Sequence, residues 1–288
     1  YTTYYDFEKD AVTNGPTNPP ASGVTRGTGN LCTAGVADYT DADVRKSQML
    51  RIYGAPGINS TGVLNLDKFT RKSTDYSVTW RQVVTSAGSY KNGVLMRGDT
   101  LTVGSNSSGY TQGMMAGYYL NVYNDGATTQ FRIYKSTASR SLNMFNSSSV
   151  ALSAPVGKSI WYRASVSGTT KVTLKIEYST DGENWNVGTV TTDEGGDFRQ
   201  GATQFVWGLA ASTNNFLIDD IAFEGITYDE GVVTGIMSAE ESAVGVDYEE
   251  YYDVAGRRIR PSDVSKGVII RRSHLTDGTV KVEKILKK

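Results

Sequence analysis

Two neighbouring carboxylates stand inside what otherwise reads as a buried strand, Asn215-Phe216-Leu217-Ile218-Asp219-Asp220-Ile221-Ala222-Phe223. Adjacent buried carboxylates are costly unless a cation compensates them. A Ca2+ ion would do so with oxygen ligands alone. Further acids lie near the start of the chain, in Tyr5-Asp6-Phe7-Glu8-Lys9-Asp10. Asp6, Glu8 and Asp10 could share such a cation with Asp219 or Asp220, and a structural Ca2+ is the expected cofactor. Period-two alternation turns only one of the two Asp side chains inward, so backbone carbonyls would have to complete the roughly six to eight ligands calcium takes. The alternative is a hydrogen-bonded strand edge in which each Asp accepts backbone or Tyr donors and no cation is present.

A second grouping carries a different chemistry. In Gly117-Tyr118-Tyr119-Leu120-Asn121-Val122-Tyr123 the even positions read as core, which puts Tyr119, Asn121 and Tyr123 on the opposite face. The next strand turns Phe131 and Ile133 inward and leaves Arg132 and Tyr134 outside. Paired as a hairpin, the two strands would gather three Tyr, an Asn and an Arg on one surface. Sugar recognition asks for this combination, aromatic faces to stack on pyranose rings and planar polar groups to bond hydroxyls. Tyr119, Asn121, Tyr123, Arg132 and Tyr134 are thus the candidate ligand-binding residues, set against a reading in which the tyrosines are ordinary cross-strand packing. Trp161, Arg163, Lys175 and Glu177 could extend a polar face, whereas Trp185 caps an Asp-Gly hairpin and Trp80 and Trp207 belong to the core.

The elements that must hold these residues are strands. Eighteen Tyr, four Trp and eight Phe sit among many Thr, Ser, Val and Asn, with 31 Gly to supply turns. Alternation predicts strands at Met49-Tyr53, Tyr76-Val84, Gly93-Arg97, Tyr118-Tyr123, Phe131-Lys135, Ile160-Val166, Lys171-Tyr178, Asn186-Thr191, Gln204-Ala210 and Phe216-Phe223. Asn124-Asp125-Gly126 and Thr180-Asp181-Gly182 have the chemistry of hairpin turns. Thr13 to Pro20, with three prolines, is a loop. The fold class is all-β, an antiparallel jelly-roll sandwich.

Several chemistries are excluded or disfavoured. The only histidine is His274, near the C-terminus, so the first two hundred residues hold no Ser-His-Asp triad and no histidine metal ligand. The single cysteine, Cys32, makes no internal disulfide and reads as a small buried hydrophobe. No apolar stretch approaches the roughly 20 residues of a membrane helix. The formal net charge is −1. From Asp219 to Asp253 there are eleven acids and no Lys or Arg, and from Arg257 to Lys288 ten bases against three acids. That asymmetry marks a change of module and not a nucleic-acid site. The chain begins at Tyr1 with no charged and apolar leader, which reads as a processed or excised segment.

Taken together, Ile160-Trp161-Tyr162-Arg163-Ala164, Leu174 to Trp185 and Ile218-Asp219-Asp220-Ile221 resemble the concanavalin A-like, laminin-G-type jelly roll of secreted bacterial polysaccharide-acting proteins. In related carbohydrate-binding modules an early Phe-Glu strand and a late Ile-Asp-Asp strand share a structural calcium, which implies the same for Glu8, Asp219 and Asp220. Glycanases of this fold carry an alternating Glu-x-Asp-x-x-Glu strand and lyases a His with Tyr and Arg; neither pattern is present. From Glu241 onward, Tyr251 to Ile259, Lys266 to Arg271 and Gly278 to Ile285 resemble the C-terminal sorting tail of the type IX secretion pathway, with Val268 where Tyr is commoner. The domains expected are a sandwich over 1–228, a linker over 229–240 and a small β sorting or anchoring tail over 241–288. The function expected is non-catalytic polysaccharide binding outside the cell or at its surface, with secretion machinery or a surface anchor engaging the tail. The alternatives are a lyase or glycosidase of the same fold, and an adhesin or structural module that meets other proteins.

Overall fold

Period-two burial runs through the strands of the computed structural model. In β11 (Ser159–Ser167) Ile160, Tyr162, Ala164 and Val166 are buried, while Trp161, Arg163 and Ser165 between them are partly exposed. The structure describes residues 3–17, 19–21, 24–26, 33–53, 60–66, 74–103, 114–124, 127–136, 142–209, 215–225, 246–252, 259, 267–275 and 280–287. Cys32, Asp125-Gly126, Ala210, the expected linker 229–240 and several tail-motif positions, Lys266 and Gly278 among them, lie outside these residues.

The chain divides into two compact units, Tyr1–Thr227 and Tyr228–Lys288. The first is an antiparallel jelly-roll β-sandwich. One sheet runs in the order β13 (Asn186–Asp193), β12 (Val172–Ser179), β11, β6 (Tyr76–Val84), β15 (Phe216–Glu224), β4 (Lys46–Tyr53), β3 (Thr33–Thr40), with β1 (Thr3–Tyr5) also paired to β15. The other runs β10 (Leu142–Val150), β9 (Thr129–Ser136), β8 (Met115–Asn124), β7 (Tyr90–Val103), β14 (Ala202–Leu209), β5 (Ser60–Leu66), β2 (Val24–Arg26). The hairpin turn after β12 works as its residues demand, with Gly182 at φ 84° and Asp181 accepting the amides of Glu183 and Asn184.

Aromatic rings from both sheets interlock to form the core. Trp80 on β6 meets Phe205 on β14 edge-on at 6.0 Å, Phe216 on β15 meets Tyr90 on β7 at 6.2 Å, and Phe131 on β9 stacks on Tyr178 of β12 at 5.4 Å. Trp80 and Trp207 are fully buried, as expected of core positions. Ring pairs of this kind add to the area each side chain removes from water, about 0.5–1.5 kcal/mol apiece.

The sandwich edges are occupied. On one side the edge strands β10 and β13 meet: Asn146 Nδ2 donates to the Val190 carbonyl at 3.0 Å and Ser148 Oγ to that of Gly188. On the other, the Thr13 and Thr17 amides donate to the Val36 and Ala34 carbonyls of β3.

The second unit is a three-stranded antiparallel sheet of β16 (Val246–Tyr252), β17 (Gly267–Leu275) and β18 (Val280–Lys287). Polar side chains pair across its strands: Arg271 lies 3.4 Å from Glu249, and His274, partly buried on β17, lies 3.3 Å from Glu250.

Candidate functional site

Alternation alone would send Asp219 and Asp220 to opposite faces of β15. A β-bulge defeats it. The β15–β6 register slips between Asp219, opposite Arg81, and Ala222, opposite Thr79, with Asp220 at φ 50°. Both carboxylates consequently reach one guanidinium. Arg81 Nη2 donates to Asp219 Oδ2, and Nε lies 3.0 Å from Asp220 Oδ2. Nη2 also donates to Ser47 Oγ at 2.5 Å, and Nη1 lies 3.9 Å from Asp41 Oδ2. Asp41 is itself held by the Asp43 and Arg45 amides and by Ser159 Oγ, bonds that outweigh burial and keep its carboxyl below the usual range. Asp219 behaves in the opposite sense. Burial first, and the charge of Asp220 second, push its carboxyl up to about 7 despite Arg81.

Glu8 has a different task. The β4–β15 ladder ends at the Leu50–Ile218 pair, and beyond it β15 turns to β1, pairing Ile221 with Tyr5. Gln48 lies past that ladder end, and Glu8 Oε1 accepts its amide at 3.0 Å. Asp6 accepts the Glu8 amide, and the Asp10 amide donates to the Phe7 carbonyl. Among the described residues no group of three or more His, Cys, Asp or Glu side chains is arranged to hold a metal ion. The expected calcium set is corrected accordingly. Glu8, Asp219 and Asp220 as placed do not fit a shared Ca2+, because the guanidinium of Arg81 supplies the positive charge that the two aspartates demand.

The aromatic grouping lies on the outer face of the seven-stranded sheet, with the parity expected: Tyr118, Leu120 and Val122 point into the sandwich core. Three cross-strand rungs make up the face. The first runs Ser149, Gln130, Tyr123, Lys91 through β10, β9, β8 and β7; the second Ser147, Arg132, Asn121, Gly93; the third Met144, Tyr134, Tyr119, Leu95. Gly93 lets β7 and β8 come close, since a Cβ there would fall 2.0 Å from the Leu120 carbonyl oxygen.

The rungs differ in what they offer. Tyr119 is only 6% exposed and packs with Val63, Leu95, Met114 and Val206, a second apolar cluster against which Met115, Tyr134 and Leu142 also lie. Its hydroxyl donates to the Val206 carbonyl at 3.3 Å and accepts from Asn121 Nδ2 at 2.8 Å, and burial raises its phenol above the ordinary range. Asn121 is 2% exposed and also donates to the Asn92 carbonyl. Two of the five grouped residues are therefore buried packing and cannot present themselves to a ligand, because this end of the outer face carries aliphatic side chains. Val206, opposite in parity to the core residues Phe205 and Trp207, was the signal for it.

Tyr123, Arg132 and Tyr134 remain half-buried, with Ser147 and Ser149 exposed beside them. Tyr134 stacks on Tyr119, centroids 6.0 Å apart at 23°. Arg132 Nε and Nη2 donate to Gln130 Oε1 at 3.0 and 2.6 Å, which fixes its guanidinium 4.4 Å from the Tyr123 ring centroid. Lys91, exposed on β7, brings Nζ to 5.4 Å from the same ring. Lys91 and Gln130 escaped the sequence reading because β7 starts three residues, and β9 two, before the strands expected there. On the other sheet Arg163 covers Trp185 at 4.2 Å and Arg45 covers Trp161 at 4.9 Å, so neither indole is a bare platform.

No family model and no curated protein matches the chain. Among solved structures it is similar to an endo-β-1,4-glucuronan lyase from the fungus Trichoderma reesei, with 11% identity over 79% of this chain and 96% of that one and a TM-score of 0.48. It is similar also to a legume lectin-like domain from Entamoeba histolytica, with 8% identity, 75% and 99% coverage and a TM-score of 0.49. A third is peanut lectin with a 9mer peptide, with 12% identity, 77% and 97% coverage and a TM-score of 0.43. Likeness at this level carries neither a ligand nor an activity over to this chain.

Proposed function

We propose that the sandwich binds a polysaccharide without transforming it, on the outer face of its seven-stranded sheet at Tyr123, Arg132 and Tyr134. The observation that supports the reading is a partly exposed row in which a tyrosine ring, a guanidinium held in a fixed orientation and two serine hydroxyls stand on adjacent strands. Rigid aromatics flanked by planar donors suit a ligand made of rings and hydroxyls. The row from β10 to β7 covers three strand spacings, about 14 Å, the reach of a short oligosaccharide. A glycan array probed with the full chain, followed by titration of the best ligand, tests it. Tyr123→Ala and Tyr134→Ala are each expected to weaken binding by about 1–3 kcal/mol; equal affinity in both variants removes the site from this face.

The reading extends to the second unit, as a sorting or anchoring segment that carries the sandwich to the cell surface or beyond. Its support is the strand pattern and basic C-terminal sequence of 241–288. A chain ending at Thr227 is then expected to stay soluble with one cooperative melting transition. Loss of that transition would mean that the second unit completes the fold of the first.

A further inference from the structure

Resting on that reading, the charge pattern of the same face goes further and selects among polysaccharides. Several basic side chains elsewhere on the sandwich are matched with acids: Arg97 with Asp75, Lys135 with Asp193 and Asp197, Arg163 with Glu177, Lys171 with Glu194. Lys91 and Arg132 have no carboxylate partner among the described residues. Their neighbours on the first two rungs, Gln130, Asn121, Ser147 and Ser149, carry no charge. Both cations converge on Tyr123, Lys91 from the strand on one side and Arg132 from the strand on the other.

Two cations with no carboxylate partner among the described residues, over one half-buried ring, make a local positive field on a chain whose net charge is −1. Gln130 takes two of the five N–H donors of Arg132, holding the guanidinium in place and leaving three for a ligand. An ammonium and an oriented guanidinium flanking one ring match a carboxylate or sulfate attached to a sugar, the anionic oxygens taking charge-assisted bonds. A neutral sugar would leave both charges unanswered. We infer that the ligand is an acidic polysaccharide, one of whose anionic groups is seated between Lys91 and Arg132 beside Tyr123.

The test is isothermal titration of the full chain with polygalacturonate, dextran sulfate and unmodified dextran, at 50 and 500 mM NaCl. Lys91→Gln, Arg132→Gln and, as a distant control, Lys171→Gln are run alongside. The expected result is binding of at least one acidic polymer and none of dextran, weakened severalfold or more by salt. Each of Lys91→Gln and Arg132→Gln should lose roughly 10- to 100-fold in affinity, and Lys171→Gln should match the parent. The polyuronate and polysulfate arms tell the two anionic groups apart. Acidic polymer bound equally by all three variants, or dextran bound as well as the acidic polymers, overturns the inference while leaving glycan binding in place. Failure of every glycan on the array removes the underlying reading itself.

Discussion

Arg81→Met is expected to cost about 3–5 kcal/mol of stability at pH 8, the range found when one partner of a buried ion pair is removed. Arg81 is 4% exposed, and loss of its guanidinium strands Asp219, which is 1% exposed, beside Asp220. The effect should depend on pH in a defined sense. Asp219 titrates near 7 in the folded chain, above the ordinary carboxylate value of 3.8. The folded state therefore holds this proton more tightly than the unfolded chain, and its contribution to stability is present below about pH 4 and lost as pH rises through 7. Removing Arg81 raises that carboxyl further, so the deficit of Arg81→Met should be smaller at pH 5 than at pH 8. Adding Asp219→Asn should recover much of it. Urea unfolding at the two pH values checks both statements, and a deficit below about 1 kcal/mol at pH 8 would show that the network contributes little. The parent's melting temperature should be the same in excess chelator as in millimolar Ca2+. A fall on chelation, reversed by calcium, would return the acidic pair to a metal.

Tyr119→Ala should behave as a core change although it lies on the outer face. Its ring packs with Val63, Leu95, Met114 and Val206, stacks on Tyr134, and its hydroxyl is bonded on both sides. Removing a buried aromatic costs about 3–5 kcal/mol through lost transfer free energy and the cavity left behind. Asn121 would in addition lose an acceptor for its amide, a penalty of about 1–3 kcal/mol if nothing replaces it. Tyr123→Ala, two residues on, should stay within about 1 kcal/mol of the parent, because its ring is only half-buried and its ring contacts are the cationic side chains of Lys91 and Arg132. Denaturant titration of the pair separates packing from recognition on one strand. A Tyr119→Ala variant as stable as the parent would free that ring for the ligand after all.

The contrast between these residues marks where sequence reasoning reached and where it stopped. Each of the ten strands expected from alternation overlaps a strand of the structure, because a strand with one face in a sandwich core announces itself by period two. β10 gave no such signal. Its Asn, Ser, Met and Phe residues form an exposed edge strand whose alternation carries no burial. Parity on β8 was legible, but the burial of its outer face was not, since that depends on aliphatic residues brought over from β14, β7 and β5. The acidic pair failed for another reason. A bulge inserts one residue and cancels alternation locally, and the compensating cation, Arg81, lies 138 residues away from Asp219 in the chain. Local pattern states the need for a positive charge but cannot say whether an ion or a side chain meets it.

The occupied edges of the sandwich bear on how such a protein survives at high local concentration. A bare edge strand is a template on which a second copy can add its own strand, and from there a fibril can grow. Here the side chains of Asn146 and Ser148 take carbonyls of β13, and the segment at Thr13 and Thr17 covers carbonyls of β3, while β2 at the remaining end is only three residues long. At high local concentration, sandwiches would thus meet one another through their faces and not by joining at these edges. Asn146→Ala with Ser148→Ala, which uncovers two of those carbonyls, is the kind of change through which crowding would turn into aggregation.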